Sequence, residues 1–248
     1  MIRMRGLYSA VMPRESRIQT RARVVRILDA LAREMPDARI QLDFGTPIQL
    51  LVSVILSAQC TDVRVNQVTP ALFARYPDVG ALAHANPSAL EDLIRTCGLF
   101  RAKAKAIISA AHAILEQHAG VVPSSREALE QLPGVGPKTA GVVAIHLGDN
   151  VALPVDTHVR RLAKRMGLTT ETDPDRVEQR LQELVPRERW TEAHHLLIWH
   201  GRRTCTARSP ACDRCVVRDF CPKIGVIRRP GPKKRSSVAV SARHAGRR

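Results

Sequence analysis

The sequence predicts an all-α protein, and three observations carry that prediction. Apolar residues recur at every third or fourth position in one segment after another, which is the pattern of an amphipathic helix. Prolines, glycines and short capping residues stand at the ends of those segments. No segment shows sustained alternation with β-branched enrichment, so no sheet is expected. A chain of 248 residues can bury a core as one large or two small domains. With only 3% aromatic residues, that core must be built from Leu, Val, Ile and Ala.

The first helix is expected over residues 18–35, where Val24, Val25, Ile27, Leu28 and Leu31 form a stripe that Pro36 ends. Thr46 and Pro47 read as the cap and first turn of a second helix. Its run Ile48-Gln49-Leu50-Leu51-Val52-Ser53-Val54-Ile55-Leu56 is apolar on nearly every face, as a central buried helix requires. Further helices are expected over 62–76, 87–96, 101–118, 124–131, 137–147, 157–166, 173–185 and 187–202. After Ile224 the composition changes to Arg, Pro, Gly, Lys and Ser, which reads as a disordered basic tail.

The formal charge of +16 invites a nucleic-acid reading, but its distribution matters. Residues 1–21 carry +4 and residues 224–248 carry +8, leaving about +4 for the body between them. A basic tail raises affinity for any polyanion by counterion release, without sequence choice. The apolar stretches fall far short of the ~18 residues a membrane span needs, and no export signal stands out. The expected setting is intracellular, cytoplasmic or nucleoid-associated, and reducing, with no membrane partner.

Cys205, Cys212, Cys215 and Cys221 lie within seventeen residues, with gaps of six, two and five. Four clustered thiolates hold either zinc or an iron–sulfur cluster. Zinc sites usually show two short pairs, and here only Cys212 and Cys215 form one. The looser loop favours a four-iron cluster over zinc. Disulfides, the third reading, persist mainly in oxidising compartments.

Leu132-Pro133-Gly134-Val135-Gly136 lies between two helical stretches and leads into Pro137-Lys138-Thr139-Ala140. Gly-x-Gly permits a tight turn, and Pro137 suits a first helical position. Free N–H groups of the loop and the new helix form a site for a phosphate oxygen, as in a helix-hairpin-helix that grips a DNA backbone without reading bases. Lys138 stands beside the positive end of a helix dipole, where a second cation is disfavoured. It reads equally as an amine nucleophile that forms a Schiff base or as a phosphate contact. Asp156, in Pro154-Val155-Asp156-Thr157-His158, reads first as a helix cap. A carboxylate facing Lys138 across a cavity, able to accept a proton or stabilise a sugar cation, is the functional reading, and both can hold together.

The order and spacing of Leu56-Ser-Ala-Gln-Cys-Thr-Asp62, Gly98-Leu99, Leu132 to Ala140, Val155 to His158 and the four cysteines resemble the endonuclease III family of DNA glycosylases. The resemblance covers roughly residues 20–223. It implies a two-domain helix-hairpin-helix glycosylase fold: a six-helix barrel at about 40–150 and a cluster domain formed by 19–39 with 151–223. It leaves a basic extension, 1–18, and the tail, 224–248, outside. It implies a bifunctional glycosylase and abasic-site lyase that removes oxidised pyrimidines and cleaves 3′ to the abasic site by β-elimination. Its partner would be double-stranded DNA holding a damaged base or abasic site, bound by a monomer. Lys138 matches the nucleophile, Asp156 the essential carboxylate, and Cys205, Cys212, Cys215 and Cys221 the ligands of a [4Fe–4S] cluster. Gly134, Val135, Gly136 and Thr139 match the backbone grip. Gln59 and Leu99 match residues that fill the gap left by a flipped nucleotide. Asp62 and Glu130 fall at lesion-pocket positions.

The sequence departs from the family pattern at Pro137, where a basic residue is common, and at Gly141, where many relatives have Asn. Phe100 stands in place of a common Tyr, and Ser209 and Ala211 in place of basic residues. Arg208 is then the remaining cation between Cys205 and Cys212. His194, His195 and His200 read as packing or hydrogen-bonding residues, and Cys60 and Cys97 as small, isolated core residues within helices.

Overall fold

The computed structural model describes residues 15–148 and 152–226. Among the described residues there are α-helices and short 3₁₀ turns but no strand. Helix α1 spans Arg17–Glu34, and Ser16 and Gln19 form a reciprocal capping box at its start. Helix α2 spans Pro47–Ser57, with Thr46 accepting from the Gln49 N–H, and eight of its eleven residues are buried. Then come α3 (Asp62–Arg75), α4 (Val79–Ala83), α5 (Pro87–Ile94) and α6 (Phe100–His118). Helices α7 (Arg126–Glu130) and α8 (Pro137–His146) form the hairpin. The chain closes with α9 (Thr157–Arg165), α10 (Pro174–Leu184) and α11 (Trp190–Arg203).

The apolar side chains gather into two cores. One is built around α2 and takes in residues from Leu42 to Ala144. The other joins the buried stripe of α1 (Val24, Ile27, Leu28 and Leu31) to α9, α10 and α11, and reaches Val217. Helix α1 therefore packs on α10 and α11, far along the chain. Burying a Leu or Ile side chain is worth roughly 1.5–3 kcal/mol, so this stripe binds the N-terminal helix firmly to the C-terminal ones.

Polar contacts cross between the two sets of helices. Arg202 of α11 reaches Asp62 of α3 at 2.6 Å, and the same guanidinium nitrogen holds Gln41. Arg126 of α7 pairs with Glu130 at 2.7 Å and with the buried Glu178 of α10 at 2.8 Å. Glu178 also accepts the Leu153 N–H at 2.9 Å, so α10 anchors the segment that leads to Asp156. No described helix is long and apolar enough to cross a membrane. Most of the basic tail, and residues 1–14 of the N-terminal extension, lie outside the described residues.

Candidate functional site

The hairpin turn needs glycine for two physical reasons. Gly134 has φ +79°, and a Cβ there would stand 2.5 Å from the Cβ of Ala106 on α6. The turn closes through the Val135 N–H on the Leu132 carbonyl, with both side chains buried. Gly136 is the N-cap of α8 and offers no capping side chain, and nothing lies within 4 Å of where its Cβ would be. The open space beside Gly136 leaves room for an anion at the first turn of α8, the kind of site a helix start supplies. Pro137 takes the first helical position, as its fixed φ favours.

Lys138 is exposed. The first turn of α8 points away from the core, while Ala140, Gly141, Val143 and Ala144 carry the buried face. Asp156 is the N-cap of α9, and its Oδ1 accepts the Val159 N–H at 2.7 Å. The capping role is therefore real and leaves Oδ2 for other work. Lys138 and Asp156 both lie within electrostatic reach of the buried His194. Burial pushes His194 down to about 4, with Asp156 raising and Lys138 lowering its pKa. A carbonyl can only accept, so His194 Nδ1 donates to the Pro154 oxygen at 2.9 Å and fixes the segment just before Asp156. Gly141 completes this packing. A Cβ there would meet Pro154 Cγ at 3.2 Å, so the glycine lets α8 approach the Asp156 segment closely.

Gln59 and Leu99 share a feature that the sequence does not advertise. Each is a non-glycine residue in the left-handed region, with φ +54° and +47°. Both are exposed, Leu99 at 59% although it is a leucine. Asp62 and Glu130 are each engaged by an arginine, Arg202 and Arg126 respectively. Cys97 is buried in a 3₁₀ turn, and Cys60 lies in a turn after α2, so neither sits in an α-helix. Nor are they isolated: burial first, then the neighbouring Cys60, push the Cys97 thiol up to about 11.

The four C-terminal cysteines line one pocket, together with Arg165, Met166 and His200. Burial raises the thiol pKa values of Cys212, Cys215 and Cys221, and the neighbouring cysteines add to it. A cationic metal centre overcomes that shift, because a coordinating thiol is deprotonated outright. Four thiolates around one pocket form a donor set that fits a [4Fe–4S] cluster. Arg165 was not singled out from the sequence, yet it organises this loop. It donates to Cys205 Sγ at 3.3 Å and to the carbonyls of Thr206 and Ala207 at 2.8 Å each. His200 Nε2 lies 3.5 Å from Cys215 Sγ. Arg208 is exposed on the outer side of the loop.

Residues 52–187 match the model of the HhH-GPD superfamily of base excision DNA repair proteins. Residues 205–221 match the iron-sulfur binding domain of endonuclease III. The chain is 49% identical over 201 residues to endonuclease III of Synechocystis sp., covering 81% of this chain and 92% of that protein. A solved non-covalent endonuclease III–DNA complex superposes with a TM-score of 0.77 at 39% identity, over 81% of this chain and 94% of the other. A trapped endonuclease III–DNA covalent intermediate superposes equally well, with a TM-score of 0.77.

Proposed function

The chain belongs to the endonuclease III family of base excision DNA repair proteins, and from that premise we propose how its own residues perform the reaction. It is a DNA glycosylase and abasic-site lyase acting on double-stranded DNA, and it carries a [4Fe–4S] cluster. The observation that carries the assignment of residues is the placement of Lys138 and Asp156 at the starts of α8 and α9, both within electrostatic reach of His194.

The phosphate backbone docks on the first-turn N–H groups of α8, beside Gly134, Val135, Gly136 and Thr139. The neutral amine of Lys138 attacks C1′ of the damaged nucleotide, and the bond to the base breaks with its electron pair leaving on the base. Asp156 accepts the proton lost from the amine and stabilises positive charge that develops on the sugar. The sugar ring then opens to a Schiff base on Lys138 Nζ. Loss of a C2′ proton expels the 3′ phosphate, and hydrolysis of the imine frees the lysine. Oxidised pyrimidines are the substrate class, with Asp62 and Glu130 beside the lesion pocket. Gln59 and Leu99 fill the gap in the duplex.

The cluster is structural in this account. Cys205, Cys212, Cys215 and Cys221 hold it, and it fixes a loop that presents Arg208 to phosphates. The two apolar cores support a division into a helical barrel at about 40–150 and a discontinuous cluster domain of 19–39 with 151–223. The protein works as a monomer inside the cell, at the nucleoid, where its substrate is.

Asp156→Asn tests the assignment, because asparagine caps a helix as well as aspartate does. Single-turnover excision from a duplex holding one oxidised pyrimidine should fall by about 10²–10⁴-fold, the usual worth of a positioned acid–base group. Thermal stability should change little. Wild-type excision by the variant would leave Asp156 a cap and nothing more.

A further inference from the structure

Two of the exposed left-handed residues, Gln59 and Leu99, lie on separate loops, and one buried lysine joins them. Lys103 lies in the first turn of α6 and is only 5% exposed. Its Nζ donates to the Leu56 carbonyl at 2.8 Å and to the Cys97 carbonyl at 2.7 Å. Leu56 is in the last turn of α2, three residues before Gln59. Cys97 ends the 3₁₀ turn two residues before Leu99.

Hydrogen-bond accounting at the end of α2 shows what this lysine does. The last four carbonyls of a helix have no partner within it. Here Val54 O accepts from Ser57 Oγ, Ile55 O from the Ala58 N–H and Ser57 O from the Cys60 N–H. Leu56 O takes Lys103 Nζ. Among the described residues no carboxylate pairs with this ammonium; its partners are carbonyls at the C-terminal ends of two helices, where the backbone dipoles favour a cation. Burial lowers the pKa of Lys103 in opposition to that, while the nearby Cys60 and Cys97 raise it. Both residues that follow these carbonyls sit in a backbone region that L side chains rarely adopt, so something must hold each loop.

We infer that Lys103 is a positioning residue that clamps the Gln59 and Leu99 loops into one preorganised unit, so that the two side chains enter the duplex together. The inference rests on the gap-filling reading of Gln59 and Leu99. Lys103 itself touches no DNA, since its head is buried under both loops.

The test measures affinity for a duplex with one tetrahydrofuran abasic analogue against an undamaged duplex, with 2-aminopurine opposite the analogue reporting insertion. Gln59→Ala, Leu99→Ala and their double variant are compared in wild-type and Lys103→Met backgrounds. Lys103→Met should lower the selectivity for the analogue by about tenfold through lost preorganisation, and should reduce the 2-aminopurine change. It should also erase the coupling between Gln59→Ala and Leu99→Ala, which a loss of stability alone would leave in place. If neither alanine variant changes selectivity, the gap-filling reading fails. If both do and Lys103→Met keeps selectivity and coupling, the clamp fails alone. Should Lys103→Met not fold, hydrogen exchange of the wild-type chain decides. A clamp makes residues 57–61 and 97–101 open together with one protection factor, and independent opening overturns it.

Discussion

Lowering the pH from 7 to 5 should destabilise this protein steeply through two histidines at the junction of α8 and α11. His194 and His195 are both buried. Burial pushes His194 down to about 4 and His195 down to about 3, with neighbouring histidines adding to the second shift. The geometry agrees, because His195 Nε2 lies 3.1 Å from His146 Nε2, and two imidazoles can share that bond only if one nitrogen is bare. In the unfolded chain both residues titrate near 6.5. Below that pH the unfolded state takes up protons that the folded state refuses, so stability is full above pH 6.5 and falls as the pH drops toward 4. Each unit of pH costs up to about 1.4 kcal/mol per histidine, so the pair loses about 3 kcal/mol between pH 6.5 and 5. Urea unfolding followed by the fluorescence of Trp190 and Trp199 reads this, with the visible absorbance of the cluster confirming that it stays bound. His195→Phe keeps a ring against His146 and should reduce the slope by about one proton's share, roughly 1.4 kcal/mol per pH unit, whatever it does to absolute stability. A flat stability from pH 7 to 5, or an unchanged slope in His195→Phe, would refute the assignment of neutral buried imidazoles.

Two further outcomes follow from the cluster loop. Arg165→Met removes the donors to Cys205 Sγ and to the Thr206 and Ala207 carbonyls, so the purified protein should hold less iron per chain and lose its colour faster on dilution; iron content equal to wild type contradicts this. Arg208→Ala should weaken binding to duplex DNA and lower the salt slope by about one, the share of one phosphate contact. Cluster absorbance should be unaltered, and unchanged affinity at moderate salt would remove Arg208 from the interface.

The helical architecture was largely legible because its signals are local. Thr46 with Pro47, Pro137 and Asp156 each stand where a cap or first turn is wanted, and each is found there. Helix α4 was not legible, because five residues are too few to show a period. The segment 124–131 holds only the short α7, since Ser125 is spent as its cap. Of the candidate site, the hairpin and cysteine motifs could be read because their residues are close in sequence. The exposure of Lys138 follows from its place, since a helix start that offers N–H groups to a phosphate faces solvent. Lys103 looked like any charged residue on a helix, since its two partners are backbone carbonyls that no side-chain pattern marks. The left-handed backbone at Gln59 and Leu99 left no trace for the same kind of reason: no glycine stands there to signal it.

The central claim is that Lys138 forms the covalent bond to the sugar. Borohydride trapping on a duplex with one abasic site, comparing the wild-type chain with Lys138→Ala, tests it most directly. The account predicts a covalent protein–DNA adduct with the wild type and none with the variant. Equal trapping by both would assign the chemistry to another amine, and no trapping by the wild type would contradict the Schiff-base mechanism altogether.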